Sequence, residues 1–230
     1  MNVRNIVLRA CVALLAAAAG CGKETDAGKQ AAPAAQASRP GTLLPPLGEG
    51  ARVVLEAEAG TVVSPMVVVP FEPYRHPRLG VQVASGGECV SIPDGVNPKD
   101  AKETALEGRV TLEFTVPKDG KYYIYPRAWW LDQCGNSFGM LIDGRNPTAR
   151  PESTAALRPL IVGGDTTLEV WHWIKLMPDD VKSNAPRAFT LTRGRHTVTF
   201  TNREDGPKLD QIYITDDPDD RPAGIVKMTK

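Results

Sequence analysis

The residues of this 230-residue chain best equipped for chemistry are closely spaced carboxylates and a set of large aromatic rings. Glu56 and Glu58 stand at i and i+2 in Arg52-Val-Val-Leu-Glu-Ala-Glu58, so on an extended strand they share a face with Val54. Two like charges so placed repel unless they are solvated or neutralised. Asp210, in Leu209-Asp-Gln-Ile212, is expected on the core side with Ile212 and Ile214. Trp171 and Trp173 alternate with Val170, His172 and Ile174, which puts both rings on the face of Glu169 and Lys175. Tyr123, Tyr125, Arg127 and Trp129 likewise share one side of their strand, and Trp130 follows. A face that also carries Glu169, Lys175 and Arg127 reads as outward, where large apolar rings need a reason. The competing reading places some of these rings in the core or beneath a loop.

The elements that position these residues are strands. Residues 52–58, 62–69, 80–84, 109–116, 122–131, 138–142, 167–176, 188–192, 196–201 and 209–215 are short and rich in β-branched and aromatic side chains. Lys118-Asp119-Gly120, Asp143-Gly144, Gly163-Gly164-Asp165, Arg193-Gly194 and Asp205-Gly206 punctuate them as turns. In Arg109-Val-Thr-Leu-Glu-Phe-Thr-Val116, alternation sends Val110, Leu112, Phe114 and Val116 to one side. Many short strands without a long helical pattern predict an all-β fold, a single β-sandwich.

The amino terminus has a different character. Arg4 and Arg9 precede an apolar run from Ala10 to Ala19 that ends in Ala18-Ala19-Gly20 before Cys21. A basic start, a short apolar core and small residues make a secretory signal over residues 1–20. The run falls short of the roughly 20 apolar residues that a membrane span needs. A cysteine directly after the small residues resembles the bacterial lipobox, which implies lipidation of Cys21. Gly22 by the same resemblance favours the outer membrane. Residues 21–48 are Ala, Gln, Pro, Gly, Ser and Lys with few bulky apolar side chains, so a lipidated flexible tether is expected there. Residues 49–230 are long enough for one domain with its own core.

Net charge is zero, so nothing basic enough for nucleic acid is present, nor a polybasic patch for a lipid surface. After export two cysteines remain besides Cys21, namely Cys89 and Cys134, and in an oxidising compartment two leftover thiols are expected to pair. The loop so closed is about 45 residues, worth roughly 3–4 kcal/mol. The alternative is two buried free thiols.

Taken in order, several segments carry a resemblance. They are Leu55-Glu-Ala-Glu58, Gly120-Lys-Tyr-Tyr-Ile-Tyr-Pro-Arg127, Gly135-Asn-Ser-Phe138, Trp171-His-Trp173, Leu191-Thr-Arg-Gly-Arg-His-Thr-Val198 and Arg203-Glu-Asp-Gly-Pro-Lys-Leu-Asp-Gln-Ile212. From about Val53 to Thr215 this order resembles the galactose-binding-like jelly-roll modules, especially family 6 and family 35 carbohydrate-binding modules. The resemblance implies a structural calcium ion between the first and last strands, held by Glu56, Glu58 and Asp210. Hard oxygen ligands suit calcium, and buried carboxylates need a counter-charge. A solvated acidic cluster, or salt bridges to residues such as Arg203, is the alternative. The resemblance also implies a sugar site, because sugars lay apolar ring faces on aromatic rings and offer hydroxyls to polar side chains. Its expected residues are Tyr125, Arg127, Trp129, Asn136, Trp171 and Trp173, with Asn136 and Asp132 in the loop after Trp130. Lys208 and Pro207 depart from the family, where an asparagine often precedes the closing Leu-Asp. That departure moves the expected site from the loop end to the concave face.

His76, His172 and His196 fall in no metal-ligand spacing, and no nucleophile motif is visible. The expected function is thus a non-catalytic, lipid-anchored module binding polysaccharide or glycan at the cell envelope as a monomer. A protein-interaction or structural lipoprotein, and a polysaccharide-degrading enzyme, remain as alternatives.

Overall fold

The computed structural model describes residues 42–44, 51–96, 105–178 and 184–227. The expected signal at 1–20, the lipidated Cys21 and most of the tether lie outside the described residues. The chain folds as β1 (Thr42–Leu44), β2 (Arg52–Glu56), β3 (Thr61–Val63), β4 (Val67–Pro70), β5 (Tyr74–His76), β6 (Gly80–Gln82) and β7 (Glu88–Ser91). There follow β8 (Ala105–Val116), β9 (Gly120–Trp129), β10 (Ser137–Ile142), β11 (Leu160–Gly163), β12 (His172–Trp173), β13 (Phe189–Leu191), β14 (Gly194–Asn202) and β15 (Lys208–Thr215). β1 falls inside the segment expected as tether and pairs with β2, so this part of that segment is strand.

Two antiparallel sheets face each other. In one, β15 runs between β9 on one side and β2 with β7 on the other; β1 and β4 extend it, and β12 and β13 pair with β9. The other has the order β11-β10-β14-β8-β3. Val53, Leu55, Ile124, Ala128, Leu209, Ile212 and Ile214 from the first sheet meet Val110, Leu112, Phe114, Phe138, Met140, Val198 and Phe200 from the second in one buried core. This is the all-β jelly-roll sandwich expected from the sequence, with the predicted alternation of β8 intact. Asp143 and Gly144 have φ of 50° and 73°, and Ile142 and Arg145 exchange backbone hydrogen bonds of 2.9 and 3.0 Å. That is the primed two-residue turn that matches strand twist, for which Asp-Gly is suited. β5 and β6 form a separate two-stranded ribbon.

Three sequence expectations change. The strand expected over 62–69 is divided between β3 and β4 around Ser64-Pro65, where proline has no N–H to give to a ladder. The strand expected over 167–176 is reduced to β12, because Glu169 takes a left-handed φ of 56° just before it. Asp210 leaves the core side. On β15, Leu209 pairs with Ala128 and Ile212 with Pro126, so Asp210 and Gln211 together oppose Arg127. This β-bulge shifts the alternation by one residue. Leu209 and Ile212 both reach the core, and Asp210 joins Glu56 and Arg127 on the outer face of the sheet.

Candidate functional site

The outer face of the first sheet carries a second layer of side chains with a polar middle and two aromatic ends. In the middle, Asp210 is fully buried and ion-pairs with Arg127. Its Oδ1 accepts from Ser85 N at 2.8 Å. Arg127 also donates to Val83 O through both terminal nitrogens, each at 3.3 Å, and its guanidinium lies 5.2 Å from the Trp171 ring centroid. Glu56 Oε1 accepts from Ser85 Oγ at 3.0 Å and from Gln211 Nε2 at 2.8 Å.

Ligand oxygens of Glu56, Glu58 and Asp210 all lie within 4.8 Å of one another, as the resemblance implied. The second oxygens of Glu56 and Glu58 are buried without a hydrogen-bond partner. Burial, aided by the charges of Glu56 and Asp210, pushes the Glu58 carboxyl up to about 8. Burial also lifts Asp210 to about 6 against the pull of Arg127, and raises Glu56 against the hydrogen bonds from Gln211 and Ser85. Fully ionised, the three carboxylates beside one guanidinium would leave two negative charges uncompensated. The orphaned hard oxygens and that charge balance fit a divalent cation such as calcium.

At one end of this polar stripe Trp129 and Trp171 are 5% and 6% exposed. Phe71 stands edge-on to both at 5.0 Å, and Tyr74 to Trp129 at 5.2 Å. The segment carrying Phe71, Tyr74 and the β5–β6 ribbon thus roofs the two tryptophans. Gln82 Oε1 accepts from Trp171 N at 3.1 Å and ties the ribbon down. Cys89 is buried in the same cluster with a free thiol, which desolvation pushes up to about 12. The expected Cys89–Cys134 disulfide is therefore absent: the Cys89 side chain is enclosed by rings on the outer face of β7.

At the other end Tyr123, Tyr125, Tyr213 and Trp173 pack with Val226 of the carboxy-terminal segment. Trp173 Nε1 donates to Gly224 O at 2.9 Å, and Gln211 exchanges two hydrogen bonds with the Val226 backbone at 2.9 and 3.0 Å. Asp220 accepts from Arg52 Nε and Tyr213 OH, both at 2.6 Å. Burial alone would raise Asp220, but Arg52, Tyr213 and Thr215 hold it below the usual carboxylate value.

The strand register read from the sequence is right: Tyr123, Tyr125, Arg127 and Trp129 share a face, and Trp171 and Trp173 join it. The solvent exposure of that face is corrected, because both of its ends are covered. Arg127 is a buried ion-pair partner of Asp210, which removes it from any solvent-facing sugar site. Tyr125 is buried beneath the carboxy-terminal segment, and its hydroxyl has no partner. Asn136 is brought to Trp130, with which it shares Asp165, and not to Trp129, Trp171 or Trp173. It lies at the loop end, where its Nδ2 donates to Asp165 O at 2.9 Å, close to the pairing of Asp165 with His172 Nε2 at 3.1 Å.

The accessible part of the aromatic cluster is its rim, which sequence reasoning missed. Tyr74 is half-buried, and its hydroxyl donates to Glu169 Oε2 at 2.7 Å. Glu169 holds its left-handed backbone while its N–H donates to Trp130 O at 2.7 Å. A non-glycine residue there is unfavourable by about 1 kcal/mol or more, a strain that collects at functional sites. Lys208 pairs across the ladder with Trp129, so it stands on the same face. The available signal was Phe71 and Tyr74 in a Pro-containing loop, two aromatic residues outside any strong strand pattern.

No family model matches this chain, and no curated protein matches it. Solved structures similar to it include a β-1,4-mannanase with a family 35 carbohydrate-binding module from Podospora anserina, at 14% identity and a TM-score of 0.46. A family 6 carbohydrate-binding module from a laminarinase of Zobellia galactanivorans has 14% identity and a TM-score of 0.38. An exo-β-1,3-galactanase from Phanerochaete chrysosporium has 16% identity and a TM-score of 0.42. The matches cover 74%, 71% and 71% of this chain, and 28%, 98% and 29% of those chains, in the same order. This chain thus spans under a third of the mannanase and of the galactanase.

Proposed function

We propose that the chain is a non-catalytic carbohydrate-binding module, exported and held at the cell envelope, in the outer membrane, by a lipid on Cys21. The observation that carries the binding reading is the rim at Tyr74. A half-buried aromatic ring, a strained and anchored carboxylate at Glu169 and the cation of Lys208 stand over a floor of Trp129 and Trp171. A sugar ring laid against Tyr74 buries its apolar face, while Glu169 accepts from hydroxyls and Lys208 donates to them. Both tryptophans then act from beneath, fixing the position of Tyr74.

The test is a glycan array on the chain, followed by titration of tryptophan fluorescence. Tyr74→Ala and Glu169→Gln should each weaken binding at least tenfold without lowering the melting temperature by more than a few degrees. Absence of binding by any glycan at millimolar concentration would sink the reading, and release of reducing ends from a bound glycan would sink its non-catalytic part. The proposed anchor is tested separately: Cys21→Ser should move the protein from the membrane fraction to the soluble one. Sedimentation should show a monomer.

In this reading calcium is held by Glu56, Glu58 and Asp210, where it would neutralise the buried charge and fix β2 against β15. An ion bound only by the native state at a hundredfold excess over Kd stabilises by about 2.7 kcal/mol. Chelation should lower the melting temperature accordingly, and an unchanged melting curve after metal stripping would refute the site.

A further inference from the structure

The β5–β6 ribbon has two unlike faces. In its register Tyr74 opposes Gln82, and Arg75 opposes Val81. Residues opposite each other share a face. Tyr74 and Gln82 are pinned to the body of the domain through Glu169 and the Trp171 backbone. Arg75 and Val81 are exposed on the other face, with Arg78 and Leu79 at the tip and Val83 just beyond β6. Leu79 is 60% and Val81 53% exposed. Three of the seven large exposed apolar side chains among the described residues fall within residues 79–83, so this patch is concentrated in the ribbon. No acidic residue occurs from Tyr74 to Ser85, and neither arginine has an ion pair among the described residues.

We propose that this ribbon is a membrane-contact element whose outer face docks on an anionic lipid surface. The chemistry is complementary. Leu79, Val81 and Val83 enter the boundary between headgroups and acyl chains, while Arg75 and Arg78 lay their stems along the apolar patch and reach lipid phosphates. The patch is carried on a ribbon separate from both sandwich sheets rather than in a groove, a form suited to a fluid surface. No stretch of the sequence is basic enough to announce this. The signal arises because the ribbon register sets Arg75 beside Val81 on the outer face, with Arg78 and Leu79 at the tip and the exposed Val83 just beyond. This contact is additional to the proposed lipid anchor, and it sits beside the Tyr74 rim, so docking would hold that rim near the membrane.

The test is partition of the full chain onto vesicles of phosphatidylglycerol with phosphatidylcholine, against phosphatidylcholine alone. Two basic side chains near an anionic surface contribute about thirtyfold in partition. Arg75→Gln with Arg78→Gln should lose about that factor on anionic vesicles and little on neutral ones. Leu79→Ser with Val81→Ser should lose at least tenfold, and high salt should weaken the wild type through screening. Because the amino-terminal segment can bind vesicles on its own, a Val81→Trp reporter supplies the local readout. Its emission should shift to the blue on anionic vesicles. Equal partition of wild type and both double variants overturns the proposal, as does a reporter that stays at its aqueous emission on a bound chain. A change from dimer to monomer on Leu79→Ser with Val81→Ser would assign the patch to a second copy of the chain and equally overturn it. Glycan binding by the double variants should be unchanged, which separates this contact from the Tyr74 site.

Discussion

The two aromatic ends of the outer face lie on the same sheet and are covered in different ways. The cover over Trp129 and Trp171 is held mainly by ring edges: Phe71 and Tyr74 contribute packing, while hydrogen bonds from Tyr74 OH to Glu169 and from the Trp171 N–H to Gln82 pin the ribbon. The cover over Tyr125 and Trp173 is held by polar ties, with Asp220 gathering Arg52 and Tyr213 while Gly224 and Val226 bond to Trp173 and Gln211. Packing is lost when volume is removed. Polar ties are lost when a charge is neutralised. The same layer should therefore respond to different perturbations at its two ends.

The largest effect belongs to the packed end. Trp129→Ala or Trp171→Ala removes a buried ring, for which about 3–5 kcal/mol is typical, and urea unfolding should register it. A loss below about 1 kcal/mol would mean that the ribbon collapses into the space and that the cover is soft. Trp173→Ala should do less, about 1–3 kcal/mol, because the ring is half-buried, and it should speed proteolytic clipping of residues 216–227. Asp220→Ala should destabilise by about 1–2 kcal/mol with the same clipping pattern, while protection around Phe71 in hydrogen exchange stays as it was. Clipping at the ribbon instead would show that the two covers are coupled.

Acid provides a gentler probe. Asp220 is held below its ordinary value, so its contribution is present above about 3.9 and is lost as pH falls through the folded value. Acid should loosen the carboxy-terminal cover before the ring-packed one. The smallest effect runs the other way and lies on the opposite sheet. Desolvation disfavours charge on His196, but its Nε2 meets Thr192 O and its Nδ1 meets Asp143 Oδ2, each at 2.7 Å, and together they raise it above 6.5. Its contribution is present below about 6.5 and fades as pH rises through the folded value. His196→Gln should flatten that slope and leave both covers untouched.

What the sequence disclosed follows from period two. Val110 to Val116, the Asp143-Gly144 turn and the shared face of Tyr123, Tyr125, Arg127 and Trp129 need only local alternation and turn chemistry. The grouping of Glu56, Glu58 and Asp210 came through the resemblance, and the structure brings the three together. Coverage of the outer face was not legible, because whether a ring meets solvent depends on Phe71 and Val226, far away in the chain. The cysteine count could not show that Cys89 lies among rings. One clue was present and unread: Leu209 and Ile212 are both strongly apolar yet three residues apart, which no unbroken strand allows to face the same way.

That bulge makes β15 resemble a text read in two frames. Upstream of Asp210 the core side falls on one parity of residue number, and from Ile212 onward on the other. A substitution in either half is a local misspelling. Removal of a single residue between Leu209 and Ile212 would merge the two frames into one, leaving both residues facing the core two apart on a regular strand and a single residue opposite Arg127. The extra residue thus serves the outer face and not the core: it is what sets both Asp210 and Gln211 against Arg127, and a shortened strand would keep its core and lose that polar pairing.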